Sequence, residues 1–255
     1  MEYREHEPPT ALRPFVRLAW TMRAGGGGGR ERVVPDGCPE IILNRGAAFR
    51  RWEGSAFRSQ GEAMVVGQLR SAIFIEPGGE VDLIGIRFEP AGLFALTGVP
   101  APALVDSDAG LDQVDRPLRA GLLSALLAEH ERAIVRRIWS VLARRYDERG
   151  ALGDGCGWVA SEAASRLRRG GSDVSGVARA MRVHERTIER AFRDEVGIGP
   201  KLAARIFRLS RVVAEIGREE PLGEGGWAGV ALRHGFSDQS HLIRDFRLIA
   251  GTTPG

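Results

Sequence analysis

The apolar positions change period twice along the chain. Between about residues 30 and 90, short runs rich in Val, Ile and Phe alternate with turn residues. This predicts strands at Arg32–Pro35, Glu40–Asn44, Ala48–Trp52, Ala63–Leu69, Ala72–Glu76 and Val81–Phe88. Asp36-Gly37, Asn44-Arg45-Gly46 and Pro77-Gly78-Gly79 punctuate them as turns. Five glycines at 25–29 form a loop tip between two extended segments. Short strands at near-regular spacing predict an antiparallel sandwich or small barrel. A short helical stretch, Leu93–Leu96, follows Pro90-Ala91-Gly92. From residue 117 the period becomes helical: Leu118, Leu122, Leu123, Leu126 and Leu127, then Ile134, Ile138, Val141 and Leu142. These are two amphipathic helices, or one broken near His130, that either pack on the barrel or meet a second subunit. Residues 150–157 hold four glycines and read as a linker, after which helical periodicity resumes at Trp158 and breaks at Gly170-Gly171.

The last 85 or so residues contain a repeat. Ala178, Ile188, Arg190, Phe192, Arg193, Gly197 and Pro200 mark the first copy; Ala231, Leu242, Arg244, Phe246, Arg247, Gly251 and Pro254 mark the second. The offset is 53 residues at the alanine and 54 from the apolar residue onward, so one extra residue sits near Phe236-Ser237-Asp238. Each copy has the pattern of a helix-turn-helix. A first helix ends near Met181 or His234, a small alanine admits a close helix crossing, and Val183 or Phe236 plugs the turn. The second helix buries Ile188 and Phe192, or Leu242 and Phe246, on one face. Its other face is polar. Copy one offers His184, Glu185, Arg186, Glu189, Arg190 and Arg193, and copy two offers Asp238, Gln239, Ser240, His241, Arg244 and Arg247. Such side chains read base edges in a major groove: Arg on guanine, Gln on adenine, Glu on cytosine. Between the copies, Pro200–Ile216 reads as a helix about 25 Å long. A strut of that length holds two reading helices about one DNA turn apart, which predicts double-stranded DNA as the partner.

These residues resemble the AraC/XylS family of bacterial transcription regulators. The resemblance covers about residues 172–255. It is carried by Val177-Ala178-Arg179-Ala180-Met181-Arg182-Val183 and Arg186-Thr187-Ile188-Glu189-Arg190-Ala191-Phe192-Arg193, then by Ala231 through Leu242, Arg244-Asp245-Phe246-Arg247 and Gly251-Thr252-Thr253-Pro254. Two departures stand out. Arg182 occupies a place where the family often has glycine, and Gly255 falls where most members continue with an aromatic-plus-arginine tail that adds a phosphate contact. The N-terminal half is similar to a sensor-type domain found before such modules. Its markers are Val33-Val34-Pro35-Asp36-Gly37-Cys38-Pro39-Glu40-Ile41-Ile42-Leu43, Val66-Gly67-Gln68-Leu69 and Gly85-Ile86-Arg87-Phe88-Glu89-Pro90-Ala91-Gly92. That resemblance implies a cupin-like β-barrel with trailing helices.

The expected fold is therefore α+β and multidomain. Residues 1–150 form a β-rich sensor or oligomerisation domain, 151–157 a glycine-rich linker, and 158–255 an all-α DNA-binding domain of two helix-turn-helix units. The resemblance further implies transcription regulation, activation more than repression, with RNA polymerase as a partner. A homodimer through residues 117–146 and an unknown small-molecule effector complete the expectation. The rival readings are a constitutive regulator with a purely dimerising N-terminal domain, and a ligand-binding or enzymatic barrel with a helical interaction module.

Composition narrows this. The 255 residues are 27% charged and 43% hydrophobic, those of a globular chain. The net charge is +3, and it is uneven: residues 1–157 carry 20 Arg against 21 acidic residues, and 158–255 carry 16 Arg+Lys against 12. The positive excess lies with the repeat, as a phosphate-binding module needs. No apolar run approaches membrane length, and the acidic start Met1–Glu7 lacks a signal core, which predicts a cytoplasmic location. Two cysteines, Cys38 and Cys156, exclude a disulfide framework and a four-Cys zinc site. None of the five histidines lies in a predicted strand, so no metal and no cofactor is expected, and no nucleophile elbow or P-loop marks an enzyme. Three residues are candidates for effector contact. Cys38 is either a reactive thiol or a small buried hydrophobe. Glu40 and Arg87 flank the barrel interior and either meet a ligand or pair with each other.

Overall fold

The computed structural model describes residues 1–150, 158–170, 173–217 and 225–254. The linker expected at 151–157 lies outside them. The N-terminal half runs β1 (Glu2–His6), β2 (Val16–Ala24), β3 (Glu31–Val33), β4 (Glu40–Asn44), β5 (Phe49–Trp52), β6 (Phe57–Ser59), β7 (Ala63–Val66), β8 (Ile73–Pro77) and β9 (Val81–Phe88). Then come α1 (Gly92–Thr97), β10 (Asp108–Gly110), α2 (Leu111–Val114), α3 (Arg116–Ala125) and α4 (Glu131–Glu148). The remaining helices are α5 (Trp158–Arg169), α6 (Val174–Met181), α7 (Glu185–Ala191), α8 (Pro200–Ile216), α9 (Gly226–Arg233) and α10 (Gln239–Asp245).

The strands form two antiparallel sheets, one ordered β1-β2-β9-β4-β7-β10 and the other β3-β8-β5-β6. Strand periodicity gives the larger sheet two apolar faces. Ala19, Ile41, Leu43, Val65, Ile84, Ile86 and Phe88 point to one side and bury against Leu118, Leu122, Ile134, Ile138, Leu142 and Tyr146 of α3 and α4. Trp20, Ile42, Met64 and Leu83 point to the other side and meet Phe49 and Ile75 of the smaller sheet. The helical stretch of residues 117–146 is thus two helices, with His130 at the start of the second. Its apolar stripe is spent on the core, and of the leucines named above only Leu127, 81% exposed, faces out. Asp115 fixes the pair: it accepts from Leu118 N (2.9 Å) to cap α3 and from Arg145 Nε (2.8 Å) to hold α4.

A second core gathers Leu167, Val177, Ala178, Ile188, Phe192, Ile206, Leu209, Val212, Val230, Ala231, Leu242 and Phe246. Ala91 of the N-terminal half joins it, with Val34 and Val105 packed alongside. The contact is close at Gly37, whose φ of +78° already requires glycine. A Cβ there would lie 2.3 Å from Phe207 Cε1 on α8. The second helix-turn-helix is tied in by a backbone hydrogen bond from Ala72 N to Ile249 O (2.7 Å).

Candidate nucleic-acid interface and effector cavity

The repeat recurs at the level of the backbone. Val183 N bonds Ala178 O, and Phe236 N bonds Ala231 O, 53 residues on. His184 and Asp238 then stand at the starts of α7 and α10, 54 residues apart. The extra residue of the second turn is therefore Ser237. Both second helices continue as a five-residue π-helical turn, Phe192–Val196 and Phe246–Ala250, and both end at a left-handed glycine, Gly197 and Gly251. The departure at Arg182 is also explained. Its φ of 56° and ψ of 40° place it in the left-handed region at the end of α6, matching Gly235 (φ +77°) in the second copy. The turn keeps its shape, with an arginine under strain in the position that favours glycine.

On α7, Ile188 and Ala191 are buried, while Glu185, Arg186, Glu189 and Arg190 are exposed, as are His184 before the helix and Arg193 beyond it. On α10, Leu242 is buried and Gln239, Ser240, Arg244 and Arg247 are exposed, with His241 half-buried. Two of the sequence-predicted contacts have other employment. Asp238 accepts from His241 N (2.7 Å) as the cap of α10, and that hydrogen bond, with one from Ser237, holds its carboxyl below the usual range. Glu185 accepts from the Ser175 hydroxyl and so ties α7 to α6.

The sequence reading missed Asp245. Its carboxylate is buried and accepts from Arg205 Nη2 (2.7 Å) and Nε (3.2 Å), pinning α10 to α8. Pro200–Ile216 is helical over the predicted span, with Ala203, Ile206, Phe207, Leu209 and Val212 buried. The strut therefore shares one core with both reading units, is paired to α10 through Arg205, and meets the N-terminal half at Gly37.

Between the two sheets lies a cavity of about 420 Å³. Trp20, Ile42, Met64 and Val66 line it from the larger sheet, and Phe49 and Ile75 from the smaller. Glu40, Arg87 and Cys38 all reach it. Glu40 and Arg87 pair with each other: Arg87 Nε donates to Glu40 Oε1 (2.6 Å), with Asp36 Oδ2 at 3.4 Å. Trp20 Nε1 donates to the same Glu40 oxygen (3.2 Å). Trp20 fits because its neighbour on β9 is Gly85; a Cβ there would fall 2.0 Å from the indole. Burial pushes the Glu40 carboxyl up, and Arg87 offsets part of that.

Cys38 sits at the seam between cavity and helical module. Its Sγ is 3.4 Å from both terminal nitrogens of Arg168, whose guanidinium lies over the Phe207 ring at 4.8 Å. Burial first, and then Asp36, push the thiol well above its usual range, away from the thiolate that a reactive sensor needs. Among the described residues no helix is long and apolar enough to cross a membrane.

Comparison with known proteins finds one family match in each half of the chain. Residues 4–109 match a family described as a domain of unknown function (DUF6597). Residues 177–255 match a family described as a helix-turn-helix domain. No curated protein matches the chain. Among solved structures, ToxT from Vibrio cholerae O395 is 8% identical, covering 99% of this chain and 95% of that one, with a TM-score of 0.49. A second ToxT structure, in a P21 crystal form, is 9% identical over 92% of this chain and 95% of that one, with a TM-score of 0.46. A third, bound to an unsaturated fatty acid, is 10% identical over 92% of this chain and 91% of that one, with a TM-score of 0.45. Family match and repeated turn geometry thus agree that residues 177–255 carry a helix-turn-helix domain.

Proposed function

We propose that this protein is a DNA-binding transcription regulator that reads two successive major-groove segments of one DNA face. The helices α7 and α10 are its reading heads, and Arg186, Glu189, Arg190, Gln239, Ser240 and Arg244 are its principal base contacts. The observation that carries this is the repeated turn-and-helix geometry, spaced by a single 17-residue helix and exposing a polar face in each copy. Arg193, Arg247 and His184, at the helix ends, suit phosphates, which set register without reading sequence. The DNA-binding module is assigned to residues 158–255 and the sensor to residues 1–150.

The sensor takes a small molecule in the cavity between its sheets. The cavity wall from Val34 to Cys38 is the segment that packs on Phe207 and Arg168. A ligand that moves this wall changes the seat of α8, and thus the disposition of both heads. Such coupling requires different ligand affinity in the two arrangements. The protein acts by binding, in the cytoplasm, with no catalytic step. A homodimer, if formed at residues 117–146, uses Leu127 and the outer polar faces of α3 and α4, and RNA polymerase is met from the DNA-bound state.

Operator binding of single variants tests the heads. Arg190→Ala and Arg244→Ala are each expected to lose about 1–3 kcal/mol on the cognate site and to relax preference at one position of one half-site. Unchanged affinity and preference in both variants removes these helices from the reading face.

A further inference from the structure

Resting on the reading of the cavity as an effector site, we infer that the molecule it takes is a lipophilic cation, an apolar body carrying one protonated amine seated against Glu40 and Asp36. Three carboxylates line the cavity, Glu31, Asp36 and Glu40, against a single cationic side chain, Arg87. Arg87 spends its Nε on Glu40 Oε1 and faces Asp36 Oδ2, so its charge is shared between two acids. An anion placed there adds a further negative charge to a pole already in excess by one. A cation completes two pairs among half-buried side chains, where the attraction is larger than at the open surface.

The acceptor for it is present. Glu40 Oε1 receives both Trp20 Nε1 and Arg87 Nε, while Glu40 Oε2 has no donor among the described residues. The Trp20 indole beside it supplies the aromatic surface on which ammonium groups are stabilised. Burial raises the Glu40 carboxyl, Arg87 offsets part of that, and the neighbouring Asp36 adds to it, so a second cation beside the two acids favours their charged forms.

A second, independent feature marks the cavity as built for a ligand. Gln60 is 8% exposed and lines the cavity, yet its side-chain amide has no protein partner among the described residues; only its backbone N–H is used, on Phe49 O. Its amide opens onto the cavity, where a polar group of a bound molecule can partner it. Gln60 lies at the Asn44 end of the cavity, because Asn44 N bonds Glu62 O just beyond it. Four strand residues separate the levels of Glu40 and Asn44, about 13 Å. Ile42, Met64 and Leu83 supply the apolar wall between the ends.

The test is calorimetric titration of the full chain with n-octylammonium, 1-octanol and octanoate, which share one body and differ in the head. n-Octylammonium is expected to bind at least tenfold tighter than the other two. Glu40→Gln should bring it down to the octanol level while octanol itself is unchanged, and Asp36→Asn should do so in part if Glu40→Gln fails to fold. Met64→Trp, which fills the cavity, should abolish all three. Octanoate binding tightest, or all three binding alike, overturns the cation but leaves the cavity as a ligand site. Binding that survives Met64→Trp places the amine elsewhere and also overturns it. If n-octylammonium binds as expected yet operator affinity does not change, the chemical assignment stands and the effector role falls. No binding by any probe, to protein that still binds DNA, removes both.

Discussion

Replacing Arg182 by glycine is expected to stabilise the helical module. Arg182 closes α6 with φ 56° and ψ 40°, is exposed, and makes no side-chain hydrogen bond or ion pair among the described residues. An L-residue in this region costs roughly 1–2 kcal/mol, from the approach of its Cβ to the following carbonyl. Glycine removes that cost but brings a more flexible unfolded chain, which returns about 0.5–1 kcal/mol. The net gain is about 0.5–1 kcal/mol. The second copy supplies the control built into the molecule, since Gly235 holds the equivalent place at φ +77°. Urea denaturation of the full chain measures the difference, with Arg182→Ala as the partner variant. Alanine removes the guanidinium but keeps the Cβ, so it should lie within about 0.5 kcal/mol of the parent. If Arg182→Gly is no more stable than Arg182→Ala, the backbone at this turn is not strained and the reasoning is wrong.

Two further outcomes follow from the packing. Arg205→Ala leaves the Asp245 carboxylate, 2% exposed, without its bidentate partner. Because Arg205 itself is 38% exposed, the loss should be about 2–3 kcal/mol, below that of a fully buried pair. Footprinting should show the second half-site lost before the first. Gly37→Ala drives a Cβ into Phe207 at a positive φ and should cost about 1–3 kcal/mol in thermal denaturation. Adding Phe207→Ala should recover part of that, and strict additivity of the two changes would place the clash elsewhere.

Where periodicity was strong, the sequence was readable. Strands Glu40–Asn44 and Val81–Phe88 and the helix Pro200–Ile216 have the bounds their patterns predict. The repeat was legible down to the extra residue of the second turn, because its marks are small, apolar and glycine positions that packing demands. The edge strands were not. Glu2–His6 is charged throughout, and Phe57–Ser59 and Asp108–Gly110 are too short to show a period. Val16–Ala24 was hidden because charged residues interrupt it and a bulge between Val16 and Leu18 shifts its alternation. With that strand went Trp20, and with Trp20 the floor of the cavity. Glu40 and Arg87 were legible as inward-facing, and of their two possible roles the structure shows the mutual pair. Gln60 and Asp245 carried no signal, since what singles them out is burial, and burial of a lone polar residue is set by distant chain.

The central claim is that one chain carries two reading heads. Selection of random duplex DNA on the full-length protein, followed by sequencing of the bound pool, tests it most directly. The account predicts two short motifs with centres about one helical turn apart, each degraded by substitution in its own head. A pool with a single motif, or salt-sensitive binding with no motif, would contradict it.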